Sequence, residues 1–336
     1  MCDYYLRVCQ VKYVSFFFHF GVSYMSFVYA INSVDFSIMS DTKINLNESL
    51  KNLWNTEAER RLIKQVGLIK SVIVSPNIVV CYAGNNIDKA AELLREIKTI
   101  GNNLNRIVET AFKIHNTAQK DDIEFIIGYC DKNRRELISI KNRKLVRNCK
   151  VAWIGSWVAY NEFKRMENEI TDEKIKGKKI VVCDENGKMY EEFLDEELAR
   201  IWELEDIFRK IVESGVDSTV GGMPVRIKIP EGENAFEYMA GMKLIASGWS
   251  QKIASGEAIA FYQGVEKGSF CCDKYQSKSN FCCYIYEDNL GIVYTDEEKY
   301  VQGLEGMKFP KFYKMDKEKF DIIAEKNGAY SCVDLS

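Results

Sequence analysis

The segment Leu68–Gly84, LIKSVIVSPNIVVCYAG, decides the predicted fold of this chain. Two β-branched runs at 71–74 and 78–81 flank a Ser-Pro-Asn sequence, which predicts a strand, a turn and a second strand. The second strand ends in an Ala-Gly pair, and two asparagines then predict the N-cap of a helix. Lys70 stands in an otherwise apolar segment, and a lysine is costly to bury. We therefore expect Lys70 either at a solvent edge or in a position with a specific purpose.

Composition limits the class of protein. The chain has 336 residues, of which 46% are hydrophobic and 28% charged, and its formal net charge is −3. These values are typical of a soluble globular protein with a sizeable core. Acidic and basic residues are interspersed without a basic stripe, so we expect no nucleic-acid partner.

The 11 cysteines are scattered and odd in number, which indicates reduced thiols in a cytoplasmic protein. Cys271-Cys272 and Cys282-Cys283 leave open a four-thiolate zinc site. Neighbouring strand residues point to opposite faces, however, which favours cysteines on two paired strands. Because only two histidines are present, we expect no His-based triad and no His-rich metal site. We predict no bound metal and no cofactor.

The N-terminal 24 residues are unusually rich in aromatic side chains. The apolar run from Tyr13 to Ile31 approaches the length of a membrane span, but His19 and two serines interrupt it. No basic flank or cleavage site of the A-x-A type accompanies it. We favour a propeptide, or translation starting at Met25, over a membrane anchor.

The remaining pattern predicts strands, two helices, strands, helices and strands. Strands are expected at 26–31, 36–39, 71–74, 78–81, 123–129, 136–140, 150–154, 225–229, 258–263, 281–286 and 290–294. Helices are expected at 47–61, 87–97, 104–114, 157–166, 196–214 and 317–326. This order favours an α+β fold, a four-layer α-β-β-α sandwich with two antiparallel sheets inside. We divide the chain into an extension (1–24), a core (25–230) with a hairpin inserted at 170–194, and a C-terminal part (231–336) on the same domain.

Four motifs, in this order, resemble the proteasome-type N-terminal nucleophile hydrolases. That family includes proteasome β subunits and the peptidase component of the bacterial two-subunit ATP-dependent protease. Asp41 lies in Ser-Asp-Thr-Lys, where the family has an Ala-Asp-Ser-Arg type motif, and Lys70 heads the hairpin that ends in Ala-Gly. Gly155-Ser156 enters a helix after a strand, and Asp217 precedes a Gly-Gly pair and a strand. The resemblance covers roughly residues 25–228.

The resemblance implies a hydrolase in which the N-terminal residue supplies both the nucleophile and, through its α-amine, the general base. An α-amine titrates near ~8, so it accepts a proton at neutral pH without a histidine. By resemblance, the charge of Lys70 lowers the pKa of the nucleophile, and Asp41 holds that lysine charged and oriented. The backbone N–H of Gly84 is the implied oxyanion donor, worth ~3 kcal/mol in comparable sites.

Three further roles come with the resemblance. Ser156 and Asp217 are the pair that positions the α-amine, and Tyr82 lines the specificity pocket.

Two positions depart from the family pattern. Val220 stands where the family has a serine after the aspartate, and Lys43 stands where it has an arginine.

The nucleophile is expected to be Ser26. Counting back from Asp41 places the first residue at Met25 or, with a turn one residue shorter, at Ser26, and methionine is not a nucleophile. A start at Met25 with loss of the initiator exposes Ser26. Cys2 is a rival N-terminal thiol, but it lies too far before Asp41 for the family's strand-turn-strand.

Three functions stay open at this point. The first is a threonine-protease-like amide hydrolase acting on a peptide or small amide, the second a catalytically silent subunit that assembles or binds partners, and the third a small-molecule acylase. A homo-oligomeric ring or dimer and an ATP-dependent unfoldase partner are implied only by resemblance, and we expect no membrane partner. Simpler explanations exist for each residue: Lys70 snorkelling at an edge, Asp41 in a turn, Ser156 as an N-cap, Gly84 ending a strand.

Overall fold

The computed structural model describes residues 26–44, 61–63, 66–119, 122–183, 189–230, 232–239, 241–242, 252–254, 257–259, 272–286, 288–295, 304 and 306–330. The expected N-terminal extension lies outside these residues, as do Met25, Cys2, most of the helix expected at 47–61 and the turn of the inserted hairpin.

The described residues form strands and helices that we number in chain order. The strands are β1 (Phe27–Asn32), β2 (Phe36–Ser40), β3 (Ser71–Ser75), β4 (Ile78–Gly84), β5 (Ile123–Cys130), β6 (Arg135–Lys141), β7 (Lys144–Val146), β8 (Val151–Gly155), β9 (Lys179–Cys183), β10 (Met189–Phe193), β11 (Val225–Lys228), β12 (Glu237–Tyr238), β13 (Gly241–Met242), β14 (Lys252–Ala254), β15 (Glu257–Ile259), β16 (Cys272–Lys274), β17 (Gln276–Ser277), β18 (Phe281–Ile285), β19 (Leu290–Thr295), β20 (Phe309–Lys314) and β21 (Ala329–Tyr330). The helices are α1 (Ile87–Ile100), α2 (Leu104–Thr117), α3 (Trp157–Glu167), α4 (Asp172–Lys176), α5 (Glu196–Ser214) and α6 (Lys317–Lys326).

The strands form antiparallel sheets, and the fold is α+β. The first sheet has seven strands in the order β21-β17-β12-β11-β2-β1-β8, so strands from the C-terminal third extend a sheet that begins at the N-terminal end of the described chain. The second sheet has the order β3-β4-β5-β6-β7, and a third the order β13-β16-β18-β19-β20. Two separate hairpins, β9–β10 and β14–β15, complete the described strands.

The alternation of side chains in β1 divides the interior into two cores. Val28 and Ala30 belong to the central core, which also contains the apolar side chains of the second sheet and of α1 and α2. Phe27, Tyr29 and Ile31 point the other way and pack with α3 and α5. The Phe27 ring stacks on Phe208 of α5 with 5.1 Å between ring centroids. The start of β1 is therefore enclosed from both sides.

Most predicted elements in the described residues are confirmed, with Asn86 and Ser156 as N-caps of α1 and α3. Asp316 occupies the N-cap of α6, but its side chain makes no cap hydrogen bond. The elements that were not predicted include the strands β7, β12, β13, β14, β17, β20 and β21 and the helix α4. Pro310 obscured the strand pattern at β20. An edge strand tolerates a proline, because the N–H groups on its outer side have no partner in the sheet.

None of the helices in the described part of the chain is long and apolar enough to cross a lipid bilayer.

Candidate functional site

A buried ion pair joins the ends of two strands. Asp41 directly follows β2, Lys70 directly precedes β3, and the Lys70 Nζ lies 3.0 Å from each carboxylate oxygen of Asp41. Lys70 Nζ also donates to the carbonyl oxygen of Lys43. Lys70 is 3% exposed and Asp41 is fully buried, so the pair sits in the protein interior and not at a solvent edge.

The Asp41 carboxylate also accepts two backbone hydrogen bonds. The N–H of Phe27 donates to Oδ1 over 2.9 Å, and the N–H of Gly221 donates to Oδ2 over 3.2 Å. The backbone N–H of Asp41 donates in turn to the Phe27 carbonyl over 3.1 Å. One carboxylate therefore fixes the start of β1, the lysine before β3 and the loop before β11 relative to one another.

Burial governs the acid–base behaviour of this pair. Loss of hydration raises the pKa of the Asp41 carboxyl, against the lowering effect of Lys70 and of the Phe27 and Gly221 amides. Loss of hydration likewise lowers the pKa of the Lys70 ammonium, against the raising effect of Asp41. Each charge thus depends on the other, and removing one leaves its partner with the full penalty of burial.

A second polar pair lies beside the first. Ser156 Oγ donates to a carboxylate oxygen of Asp217 and accepts the N–H of Ala159 over 3.0 Å, as an N-cap does. The other Asp217 oxygen accepts the N–H and the hydroxyl of Thr219 over 2.8 and 2.7 Å. Val220, where the family has a serine, is 1% exposed and packs in the core under α5. Thr219, and not residue 220, therefore supplies the second hydroxyl that contacts Asp217, beside that of Ser156.

The backbone of Ser26 connects the second pair to the first. The N–H of Ser156 donates to the Ser26 carbonyl over 2.6 Å, and Ser26 adjoins Phe27, whose N–H binds Asp41. Ser26 is 7% exposed. Five predicted site residues from separate segments, Ser26, Asp41, Lys70, Ser156 and Asp217, thus lie in one connected network.

Gly155 makes this approach of strands possible. Its φ is +92°, and a Cβ at this position would lie 1.8 Å from the Ser26 carbonyl oxygen and 3.1 Å from the Cβ of Ala83. No side chain larger than hydrogen fits there without moving the backbone. The N–H of Gly155 donates to the buried carboxylate of Glu124 over 2.9 Å. β8, β1 and the end of β4 consequently meet at this glycine.

The last two predicted residues lie at the end of β4. Gly84 has φ +141°, and a Cβ there would lie 2.2 Å from the Asp122 carbonyl oxygen, so its backbone geometry requires glycine. Ala83, which precedes Gly84, lies against Gly155, so Gly84 adjoins the network. The Tyr82 hydroxyl donates to the Ile69 carbonyl over 2.7 Å, and the ring lies in the central core.

Several members of the network carried no signal in the sequence. The Phe27 and Gly221 amides and the Lys43 carbonyl are backbone groups, which residue identity does not reveal. Glu124 did carry a signal, because it is a charged residue within an apolar strand, as Lys70 is. The cost of burying a charge therefore marks Glu124 as a candidate network residue in the same way as it marks Lys70.

The described residues contain no group of three or more His, Cys, Asp or Glu side chains arranged to hold a metal ion. Cys282 and Cys283 are free, buried thiols that face two different cores. The structure says nothing of Cys271, which lies outside the described residues, nor of the Cys272 side chain. A cavity of about 280 Å³ opens between β3 and the end of α1, beside Lys98 and Lys308, and none of the network residues lines it.

No protein-family model matches the chain, and no curated protein matches it by sequence.

Proposed function

We propose that the chain is an amide or peptide-bond hydrolase of the N-terminal nucleophile type. In this proposal its sheets and helices form the four-layer α-β-β-α sandwich of that class. The observation that carries the proposal is the network around β1, in which hydrogen bonds link Asp41 and Lys70 to the backbone of Phe27, and Ser156 and Asp217 to the backbone of Ser26. The family resemblance implies these same residues, together with Gly84 and Tyr82, as the site.

In the proposed mechanism, removal of residues 1–25 frees the α-amine of Ser26. The amine takes the proton from Ser26 Oγ, which attacks the substrate carbonyl and forms an acyl ester as the amide C–N bond breaks. The leaving amine departs with that proton, and water then hydrolyses the ester. The Lys70 ammonium favours the alkoxide, and the Gly84 N–H stabilises the oxyanion, a contribution of ~3 kcal/mol in comparable sites.

One observation favours a second candidate, a catalytically silent subunit of the same fold. An ammonium group has three hydrogens, and Lys70 Nζ has three acceptors within reach, the two Asp41 oxygens and the Lys43 carbonyl. A Ser26 hydroxyl would have to displace one of them or depend on the charge of Lys70 alone. In this case the network is a structural support for β1, and the chain acts by assembling or binding partners.

The resemblance also implies a cytoplasmic protein that assembles into a ring or dimer and cooperates with an ATP-dependent unfoldase. These features belong to the same proposal. They depend on the family resemblance alone and on no contact in the structure.

The decisive experiment produces the chain with Ser26 as its first residue, by cleavage of an N-terminal fusion, beside the full-length chain. Both are treated with a serine-reactive β-lactone and with a panel of fluorogenic peptide amides and small acyl amides. The proposal predicts one adduct per chain on the peptide that begins at Ser26, together with turnover of at least one amide. Intact mass from the native cell then shows whether this N-terminus occurs.

Three variants complete the design. Ser26→Ala and Lys70→Met should abolish adduct and turnover, whereas Ser33→Ala, an exposed serine in the turn after β1, should leave both unchanged. If the form that begins at Ser26 is folded but gives neither adduct nor turnover, the hydrolase proposal fails and the silent subunit takes its place.

A further inference from the structure

The free edge of the second sheet is basic and partly apolar. Within the described residues β7 ends the sheet order, and all three of its residues are exposed, Leu145 at 37% and Val146 at 50%. Residues 132–150 contain eight Lys or Arg and one Glu, so this segment is strongly positive although the net charge of the whole chain is −3. An exposed edge strand presents unpaired N–H and C=O groups to any other strand.

The inserted hairpin carries the opposite charge. β10 pairs only with β9 among the described strands, so its other edge is free. Glu191 and Glu192 are exposed there, and Phe193 is 64% exposed. Residues 191–197 contain five Asp or Glu and no Lys or Arg. Glu191 is paired with Lys179 of β9 over 2.8 Å, so Glu192 and Phe193 define an acidic and apolar edge where the β7 edge is basic and apolar.

The two edges lie too far apart to pair within one molecule. β7 pairs with the 139–141 end of β6. Arg135, at the other end of β6, donates to the Val34 carbonyl over 3.0 Å, and the Val34 N–H reaches Glu197, just beyond β10, over 3.4 Å. The acidic segment therefore lies near the Arg135 end of β6, whereas β7 lies at the opposite end. The two ends are about 20 Å apart, because six residues of strand span that distance. Two copies of the chain, in contrast, can bring one edge of each type together.

We propose that β7 of one copy pairs with β10 of a second copy in a head-to-tail contact. Backbone hydrogen bonds join the two edges, with Leu145 against Phe193 on one face of the joined strands and Lys144 beside Glu192 on the other. Because each copy offers a different surface, the contact continues into a ring or an open chain. The inserted hairpin thereby gains a role as an assembly element, which does not depend on whether Ser26 is a nucleophile.

The test measures the mass of the full chain by sedimentation velocity up to about 100 μM, since an edge contact is smaller than a standard interface. Wild type should self-associate, and the association should weaken with added salt because the Debye length shortens. Lys144→Glu and Glu192→Lys should each weaken association at least about tenfold. An equimolar mixture of the two variants should regain association, since both edges of each variant match the edges of the other in charge.

Lys319→Glu is the control, because it makes the same change of charge at a lysine that is 71% exposed on α6, a helix that packs on β18, β19 and β21. Its association should equal that of wild type. The proposal is overturned if wild type stays monomeric throughout the concentration range, or if the mixture of variants does not associate. Stronger association of Lys144→Glu would also overturn it, since the cations of β7 would then serve only to keep the edge from pairing.

Discussion

Replacing Lys70 with methionine, which keeps the length of the side chain without its charge, tests the energetics of the buried pair. The variant leaves the Asp41 carboxylate buried with two amide donors, Phe27 at 2.9 Å and Gly221 at 3.2 Å. Removing one partner of a buried ion pair costs about 3–5 kcal/mol. At about 2 °C per kcal/mol, the low end expected for a chain of this length, Tm falls by about 6–10 °C.

A double-mutant cycle isolates the interaction itself. Asp41→Asn alone leaves the ammonium without its counter-charge, whereas Asp41→Asn combined with Lys70→Met removes both charges. We expect the double variant to be more stable than the sum of the single costs predicts, by about 2–3 kcal/mol. Urea unfolding followed by far-UV circular dichroism and tryptophan fluorescence gives the four free energies, and equal m-values show that the comparison is valid.

The cost of Lys70→Met should also depend on pH in a definite direction. Without the lysine, burial raises the pKa of Asp41 further above its unfolded value. Between the unfolded pKa near ~4 and the raised folded pKa, the native state keeps a proton that the unfolded state has released. The free energy of unfolding of the variant therefore falls as pH rises through this window, and its deficit against wild type is smallest at the acid end.

A surface pair serves as the control. Lys319 lies 3.1 Å from Asp316, with side chains 71% and 72% exposed, and Lys319→Met should leave stability unchanged. The reasoning is refuted if Lys70→Met is no more damaging than this control, or if the two single costs add to that of the double variant within about 0.5 kcal/mol.

Three more predictions follow from local geometry. Gly155→Ala should prevent folding into soluble protein because of the 1.8 Å clash, whereas Gly215→Ala, at φ +63° with no atom within 4 Å, should cost only about 1–2 kcal/mol in urea unfolding; similar values for both would contradict this. Ser156→Ala should cost about 1 kcal/mol and speed amide exchange at the start of α3, and unchanged exchange would count against the cap. Burial raises the pKa of the Cys81 thiol to about 12, leaving roughly 10⁻⁴ as thiolate at pH 8. Iodoacetamide should therefore label half-buried Cys149 before the buried thiols Cys81, Cys130, Cys282 and Cys283 on peptide mapping, and faster labelling of Cys81 would contradict the assigned burial.

The apolar pattern of the sequence predicted much of the fold because each strand of the central core has a nearly continuous run of buried side chains. Ile78–Gly84 is buried except at its last residue, and its hairpin partner precedes it at once. β7 was not predicted, because its three residues are all exposed and flanked by cations and so show no alternation of apolar and polar side chains. The seven-stranded sheet was also beyond prediction, since Tyr238 pairs with Ser277 through contacts between segments far apart in sequence.

The family resemblance implied that Asp41 holds Lys70, and in the structure the two side chains lie in contact. The physical reason is general, since a lysine in an apolar run must find a counter-charge if it is buried. Its three acceptors were not predictable in the same way. The Lys43 carbonyl becomes an acceptor only through the path of the chain after β2, which residue types do not specify.

The hydrogen bond from Gly221 to Asp41 spans 180 residues of sequence. A ribosome adding about 5–20 residues per second needs roughly 10–40 s to cover that distance. During this interval Asp41 has already been made, but one of its amide donors has not, and a buried carboxylate lacking a donor is unfavourable. The unfinished chain therefore cannot close the interior around Asp41. The network becomes complete only when translation has passed the second sheet and the inserted hairpin, so the start of β1 is fixed in place only late in synthesis.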